Sequence, residues 1–434
     1  MKRILSVIVA LAVIAAIAVG LLNRSDSRAG TAPGIAGAPA GTDAVARGEY
    51  LAKAADCVAC HTVPDSGKPF AGGVAFKLPF GTIYSSNITA DPKDGIGAYS
   101  DDEFVRAVRE GVRRDGRHMY PAFPYTSYTL LSRDDVLAIK AYLMTLPAVA
   151  QANRANDLGF PFNQRWAMAF WNAAFFKSQR FTPDASKSAQ WNSGAYLATA
   201  LGHCGECHSP RNAGYGIDHG EALAGEEFGG WRAYNITPDI KHGIGSWSDA
   251  AIAAYLTTGH APAHATASGP MGEAVAHSLQ FLKPDDANAL VAYLRTVPAH
   301  EGKHPIDVDD RPTALTASTP MLPGKAELQS ENEGLKLFEG ACAGCHQWNG
   351  QGRQTDYASL EGTRSVNDLS ATNVTQVILR GSELRVGGTE VFMPAFGDAY
   401  SNAEVAALAN YVVGHFGGKQ GTVTPQEVAK RRTL

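Results

Sequence analysis

Cysteine is scarce in this chain, with six residues in 434. So few thiols exclude a disulfide-stapled scaffold. A surplus of one charge is also lacking. With 38 basic against 42 acidic residues, nothing in the composition marks a nucleic-acid partner or an acidic tail. There is no phosphate loop, dinucleotide fingerprint or Ser/His/Asp grouping, and GYGIDHG at 214–220 lacks the strand and helix context that such a loop requires.

Glycine and proline are plentiful, 45 and 23 residues, and predict many loops between short helices. The length suits about three domains. After Met1-Lys2-Arg3, the 19 residues Ile4 to Leu22 carry no charge, close to the ~20 that span a bilayer and longer than a usual signal core. Basic residues in front place the body outside the cytoplasm. A retained anchor is the preferred expectation and a cleaved signal at Ala16-Ile17-Ala18 the alternative; 1–30 is assigned to this segment. The Gly/Ala/Pro-rich stretch 31–42 reads as a flexible tether.

All six cysteines fall in three pentads: CVACH at 57–61, CGECH at 204–208 and CAGCH at 342–346. A structural zinc site needs four ligands from neighbouring knuckles, yet these stand 147 and 138 residues apart. A redox dithiol explains the cysteine pair and leaves the histidine unexplained. Haem attachment accounts for both. In C-x-x-C-H the cysteines form thioethers to the vinyl groups, and the adjacent imidazole meets the iron. The expectation is three covalent haem c groups, on Cys57 and Cys60, Cys204 and Cys207, and Cys342 and Cys345, with His61, His208 and His346 as proximal ligands.

The first two pentads head longer repeats. Asn87 of one NIT triplet lies 30 residues after Cys57, and Asn235 of another lies 31 after Cys204. Recurrence at one offset points to a shared loop at the haem edge rather than to glycosylation. Helices then open at Ser100, with a capping box to Glu103, and at Ser248, and close at Gly111 and Gly259. All three repeats finish with another helix, whose apolar stripes are Val136, Ile139 and Leu143; Ala287, Leu290, Val291 and Leu294; and Val405, Leu408, Ala409 and Val412. Tyr142, Tyr293 and Tyr411 recur in them.

Each iron needs a sixth ligand, and Met119, Met271 and Met393 follow the first cysteine of their repeats by 62, 67 and 51 residues. Similar placement favours ligation, whereas Met144 and Met168 read as core fillers. His118 competes in the first repeat, and His260, His264 and His277 in the second. No histidine holds an equivalent place in the third. His/Met ligation fills both axial positions and suits electron transfer.

GEYLAKAADCVACHT, GTIYSSNIT, DEFVRAVREGVRRDGRHMYPAFPYTSY, GHCGECHSPR and MPAFGDAYSNAEVAALANYV together resemble the triple-haem cytochrome c subunits of bacterial membrane-bound dehydrogenases for alcohols, aldehydes and sugar acids, from about Gly48 to Gly417. The resemblance implies a mainly α fold of three tandem class I cytochrome c-like domains with loop-rich haem pockets, at 43–149, 187–300 and 329–418. Linkers at 150–186 and 301–328 and a C-terminal tail at 419–434 complete the chain. It also implies a non-catalytic subunit on the periplasmic face of the cytoplasmic membrane. Electrons would come from a periplasmic catalytic subunit (quinoprotein, flavoprotein or molybdenum enzyme) and leave to ubiquinone or a downstream cytochrome or oxidase. A di-haem peroxidase with one open iron and a free soluble carrier are the rival functions.

Phe160 to Phe181 is rich in aromatics. Apolar all round from Trp166 to Phe176 except at Asn172, it is expected to be buried between domains, with docking onto the dehydrogenase or the membrane as the alternative.

Overall fold

The computed structural model describes residues 30–39, 41, 43–303 and 328–433. The run Ile4–Leu22 and residues 304–327 of the second linker lie outside the described residues. Among the described residues no helix is long and apolar enough to cross a membrane. The chain forms two compact units, one of residues 1–206 with 211–217 and the other of residues 207–210 with 218–434.

In the first unit, α1 (Ala44–Ala54) starts at Asp43, whose side chain accepts from Val45 N, and is followed by the short α2 (Cys57–His61). Strands β1 (Ala75–Leu78) and β2 (Gly81–Tyr84) pair antiparallel, and β3 (Asp157–Leu158) adds to β2. The predicted capping box is present on α3 (Asp101–Glu110), which ends at left-handed Gly111 (φ 61°). The terminal helix α4 (Arg133–Leu143) buries Val136, Ile139 and Leu143 as the stripe requires. It crosses α1 where Gly48 meets Ala138: a Cβ on Gly48 would stand 1.8 Å from Ala138 O, so only glycine allows that approach. Met144 caps α4 and is 40% exposed, so it is no core filler; it lies past the last buried turn.

The stretch expected to be a flexible tether is docked. Ile35 and Ala38 pair across a short bridge and are 1% exposed, and Arg47 and Ser193 donate to the carbonyls of Ala38 and Gly34. Two buried apolar side chains offset the chain entropy that its composition would otherwise favour.

The aromatic stretch also departs from expectation. Helix α5 (Met168–Phe175) buries its polar Asn172 and leaves Phe170 and Phe175 53% and 39% exposed, and Trp166 in the turn before it is 67% exposed. Asn172 is drawn inward by partners: Tyr125 Oη donates to its Oδ1 at 2.6 Å, and its Nδ2 donates to His118 Nδ1 at 3.1 Å. Trp171 and Phe175 clamp a loop. Trp171 Nε1 donates to Gly214 O at 2.8 Å, and Phe175 lies where side chains on Gly214 or Gly216 would go. Replacing Trp171 and Phe175 with serine should therefore cost about 2 kcal/mol of stability, read as a lower melting temperature. The same change at Trp166 and Phe170 should leave the melting temperature unchanged.

Helix α6 (Ala189–Tyr196) packs within the first unit. Tyr196 Oη donates to buried Asp135 Oδ2 at 2.6 Å, and Arg47 binds Oδ1 of the same carboxylate at 2.5 Å. The chain leaves this unit inside the second pentad, within α7 (Gly205–His208).

In the second unit, β4 (Glu226–Phe228) pairs with β5 (Trp231–Ala233). Helix α8 (Asp249–Thr258) is capped by Ser248 and closed by left-handed Gly259 (φ 73°), and β6 (His260–Ala261) then pairs with β7 (Ala265–Thr266). Helices α9 (Gly269–His277) and α10 (Pro284–Leu294) follow, and the four stripe residues of α10 are buried. The third repeat runs through α11 (Leu328–Ala341), α12 (Ala343–His346), α13 (Thr372–Arg380), the hairpin of β8 (Ser382–Val386) and β9 (Thr389–Met393), and α14 (Asn402–Gly417). Val405, Leu408, Ala409 and Val412 of α14 join Phe338 of α11 in one core. The glycine-mediated crossing recurs there, with Gly334 against Ala407 O.

The region assigned as a tail is a docked helix, α15 (Pro425–Thr433). Val428 is fully buried, Arg431 reaches Thr375 Oγ1 at 3.1 Å, and Arg432 reaches Tyr400 O at 2.6 Å. Its signature, Thr424 three residues before Glu427 with proline opening the helix, is legible in the sequence.

Candidate haem sites

Each pentad is a short helix that ends on its histidine, and each imidazole makes the same bond. Nδ1–H donates to a backbone carbonyl: His61 to Ser86 O at 2.6 Å, His208 to Tyr234 O at 2.7 Å, and His346 to Ala358 O at 2.7 Å. A carbonyl can only accept, so Nδ1 carries the proton and Nε2 keeps a lone pair for a metal. Burial depresses the pKa of all three, which favours the neutral, ligating form; at His208 the Arg364 charge adds to the effect.

Two of the cysteines, Cys57 and Cys342, are poorly placed for thiolate chemistry. None of the six is in a disulfide. Burial, then the neighbouring Asp56 and Cys60, push the Cys57 thiol up to about 12, and burial with Cys345 pushes Cys342 up to about 11. A redox dithiol or zinc ligand calls for a shift the other way. Thioether formation removes the titrating proton altogether.

The acceptor loops are built by the NIT triplets. Asn87 Oδ1 accepts from Thr89 N and Oγ1 at 2.9 and 2.7 Å, while its Nδ2 donates to Val149 O and Gln151 O. Asn235 repeats this with Thr237 and His300 O. Asn87 and Asn235 are 3% and 7% exposed, so their amides staple the loop to the chain after the terminal helix instead of facing a glycosyl donor.

In the second unit two buried donors, Tyr234 Oη and Trp247 Nε1, have no hydrogen-bond partner among the described residues. An unsatisfied buried donor costs about 1–3 kcal/mol. Both rings lie near the Arg364 guanidinium, and Tyr234 supplies the carbonyl that holds His208; the carboxylate of a bound porphyrin would be an acceptor of the kind such donors need.

The methionines stand in three different local structures. Met119 follows the bridge between Val112 and His118, and its N–H donates to Gly111 O at 2.7 Å. The same backbone place in the second repeat belongs to Ala267, whose N–H donates to Gly259 O at 2.7 Å. Met271 lies four residues further on, in α9, packed against Ala267, Val275 and Leu384. Met393 ends β9 opposite Ser382. Even sequence spacing thus conceals unlike backbone positions. Of the competing histidines, His118 is held by Asn172, His260 lies tilted against Tyr357 with ring centres 4.8 Å apart, and His264 stacks on Trp247 at 4.4 Å.

Helical repeats, each holding a C-x-x-C-H turn with an oriented imidazole, define a multi-haem c-type cytochrome. The chain belongs to the cytochrome c family, which it matches at residues 45–147, 192–298 and 332–415. It is 40% identical to the fructose dehydrogenase cytochrome subunit of Gluconobacter japonicus, over 89% of this chain and 82% of that one. It is 36% identical to the gluconate 2-dehydrogenase cytochrome c subunit of Pantoea cypripedii, over 89% of each. It is also 36% identical to the cytochrome c subunit of the quinone alcohol dehydrogenase of Gluconobacter oxydans (strain 621H), over 90% of this chain and 82% of that one. Three domains of this family carry three covalent haem c groups, and the protein is an electron-transfer subunit of a dehydrogenase complex, not its catalytic component.

Proposed function

We propose that this subunit works at the periplasmic face of the cytoplasmic membrane, taking electrons from a dehydrogenase catalytic subunit and passing them to ubiquinone or to a downstream cytochrome. The observation that carries this reading is the imidazole bond repeated at His61, His208 and His346, which leaves three Nε2 atoms with a lone pair for a metal in one chain. In the proposed sites Cys57 and Cys60, Cys204 and Cys207, and Cys342 and Cys345 hold the porphyrins. Met119, Met271 and Met393 would each supply a second, thioether ligand to the iron. When bound, haem c exchanges single electrons without taking up substrate. The chain's own part is to fix each imidazole, shield it from water and supply the thioether sulfur.

The test is purification from detergent-solubilised membranes. A catalytic dehydrogenase subunit should accompany the cytochrome, and its substrate should reduce all three haems. Recovery without such a subunit, or stoichiometric carbon monoxide binding to the reduced protein, would overturn the relay in favour of a carrier or an open-iron enzyme.

A further inference from the structure

At one place behind the NIT loop the second repeat has a charge where the first has a neutral side chain. Seven residues past the NIT asparagine stand Asp94 in the first repeat and His242 in the second, and each offers its backbone carbonyl to a side chain from elsewhere in its own unit. In the first unit that side chain is neutral. Asn153 Nδ2 donates to Asp94 O at 2.7 Å while its Oδ1 accepts from Asn87 N at 2.6 Å. In the second unit the place is taken by a cation. Arg364, 5% exposed, donates from Nη2 to His242 O at 3.1 Å and to Gly243 O, and from Nη1 to Asn235 O at 2.8 Å.

The guanidinium carbon lies 5.8 Å from the ring centre of Tyr234 and 5.7 Å from that of Trp247. Tyr234 supplies the carbonyl that accepts the His208 N–H. Charge buried at this depth is screened far less than charge in water. Glu226, Glu227 and Glu301 line the same cleft, but Glu227 and Glu301 are exposed and Glu226 only half-buried, so their opposing field is weaker, while the buried Asp368 carboxylate is balanced by Arg232 at 3.0 Å. Ferric haem carries one more positive charge than ferrous haem. A fixed cation beside it therefore favours the reduced state.

We propose that Arg364 is a potential-setting residue of the second haem, a buried cation lent by the third repeat that raises the midpoint potential of the group held by His208. The inference rests on the reading of His208 as proximal ligand. Redox titration of the full three-haem protein tests it. In Arg364→Gln one of the three midpoints should fall until its ferric-to-ferrous ratio, at the wild-type midpoint, is about tenfold higher, equivalent to 59 mV for a one-electron couple. Arg364→Lys keeps the charge and should hold that ratio within about twofold. Should the glutamine variant fail to accumulate, Arg364→Met preserves the stem packing and carries the same expectation. Unmoved midpoints in a charge-removing variant that retains three haems would sink the proposal, as would a lysine variant that falls as far as glutamine. His208→Ala separates the underlying reading, since it should abolish one low-spin haem signal. If it leaves all three, the proposal falls together with that ligand assignment; if it removes one and the Arg364 potentials do not move, the proposal falls alone.

Discussion

Replacing Cys57 and Cys60 together with alanine is expected to lower the pyridine haemochrome count from about three to about two per chain, with the remaining colour still on the protein after acid–acetone extraction. The thioethers are the only covalent hold on the porphyrin. Without them only coordination of the iron, by His61 and the proposed Met119, would resist extraction, and acid protonates that imidazole. The same pair of changes at Cys204 and Cys207, or at Cys342 and Cys345, should remove one haem each. An unchanged count in any of the three would overturn the assignment of one haem to each pentad.

The next largest effect is expected at the sixth ligand. Met393→Ala should leave three haems bound, remove about a third of the methionine–iron charge-transfer absorption and lower one midpoint potential, because a thioether favours ferrous iron. Met271→Ala and Met119→Ala should each do the same. The first repeat is the most demanding case, since His118 precedes Met119 and its Nδ1 already accepts from Asn172. Full charge-transfer absorption in Met119→Ala would transfer the ligand role there to another group.

Much of this architecture was legible in the sequence because its signals are local. A serine three residues before a glutamate, a left-handed glycine and an apolar stripe with helical spacing each act within a turn or two, and they located α3, α8, α4, α10 and α14. The pentads are as local, and each forms a short helical turn. What escaped depended on distant partners. Asn172 looks like a polar interruption in an apolar run until Tyr125 and His118 meet it. Ile35 and Ala38 look like a tether until Arg47 and Ser193 reach them. Arg364 could not have been picked out from its neighbours in the chain, because the carbonyls it binds lie more than 120 positions away. Even the methionine spacing, read as evidence of equivalence, spans a loop, a helix and a strand.

The buried carboxylate of Asp135 bears on how the protein can be dissected. Its two partners are Arg47, from the first helix, and Tyr196, from a helix that the sequence repeat assigns to the following domain. A cut in the 150–186 segment, the natural choice from the repeat boundaries, would strip away that hydroxyl along with Arg180, whose Nη2 binds buried Glu110 at 2.6 Å. The excised first repeat would then carry two carboxylates deprived of donors they have in the intact chain. A fragment meant to report the first haem in isolation should instead run on through Leu201, keeping both donors and stopping before the second pentad.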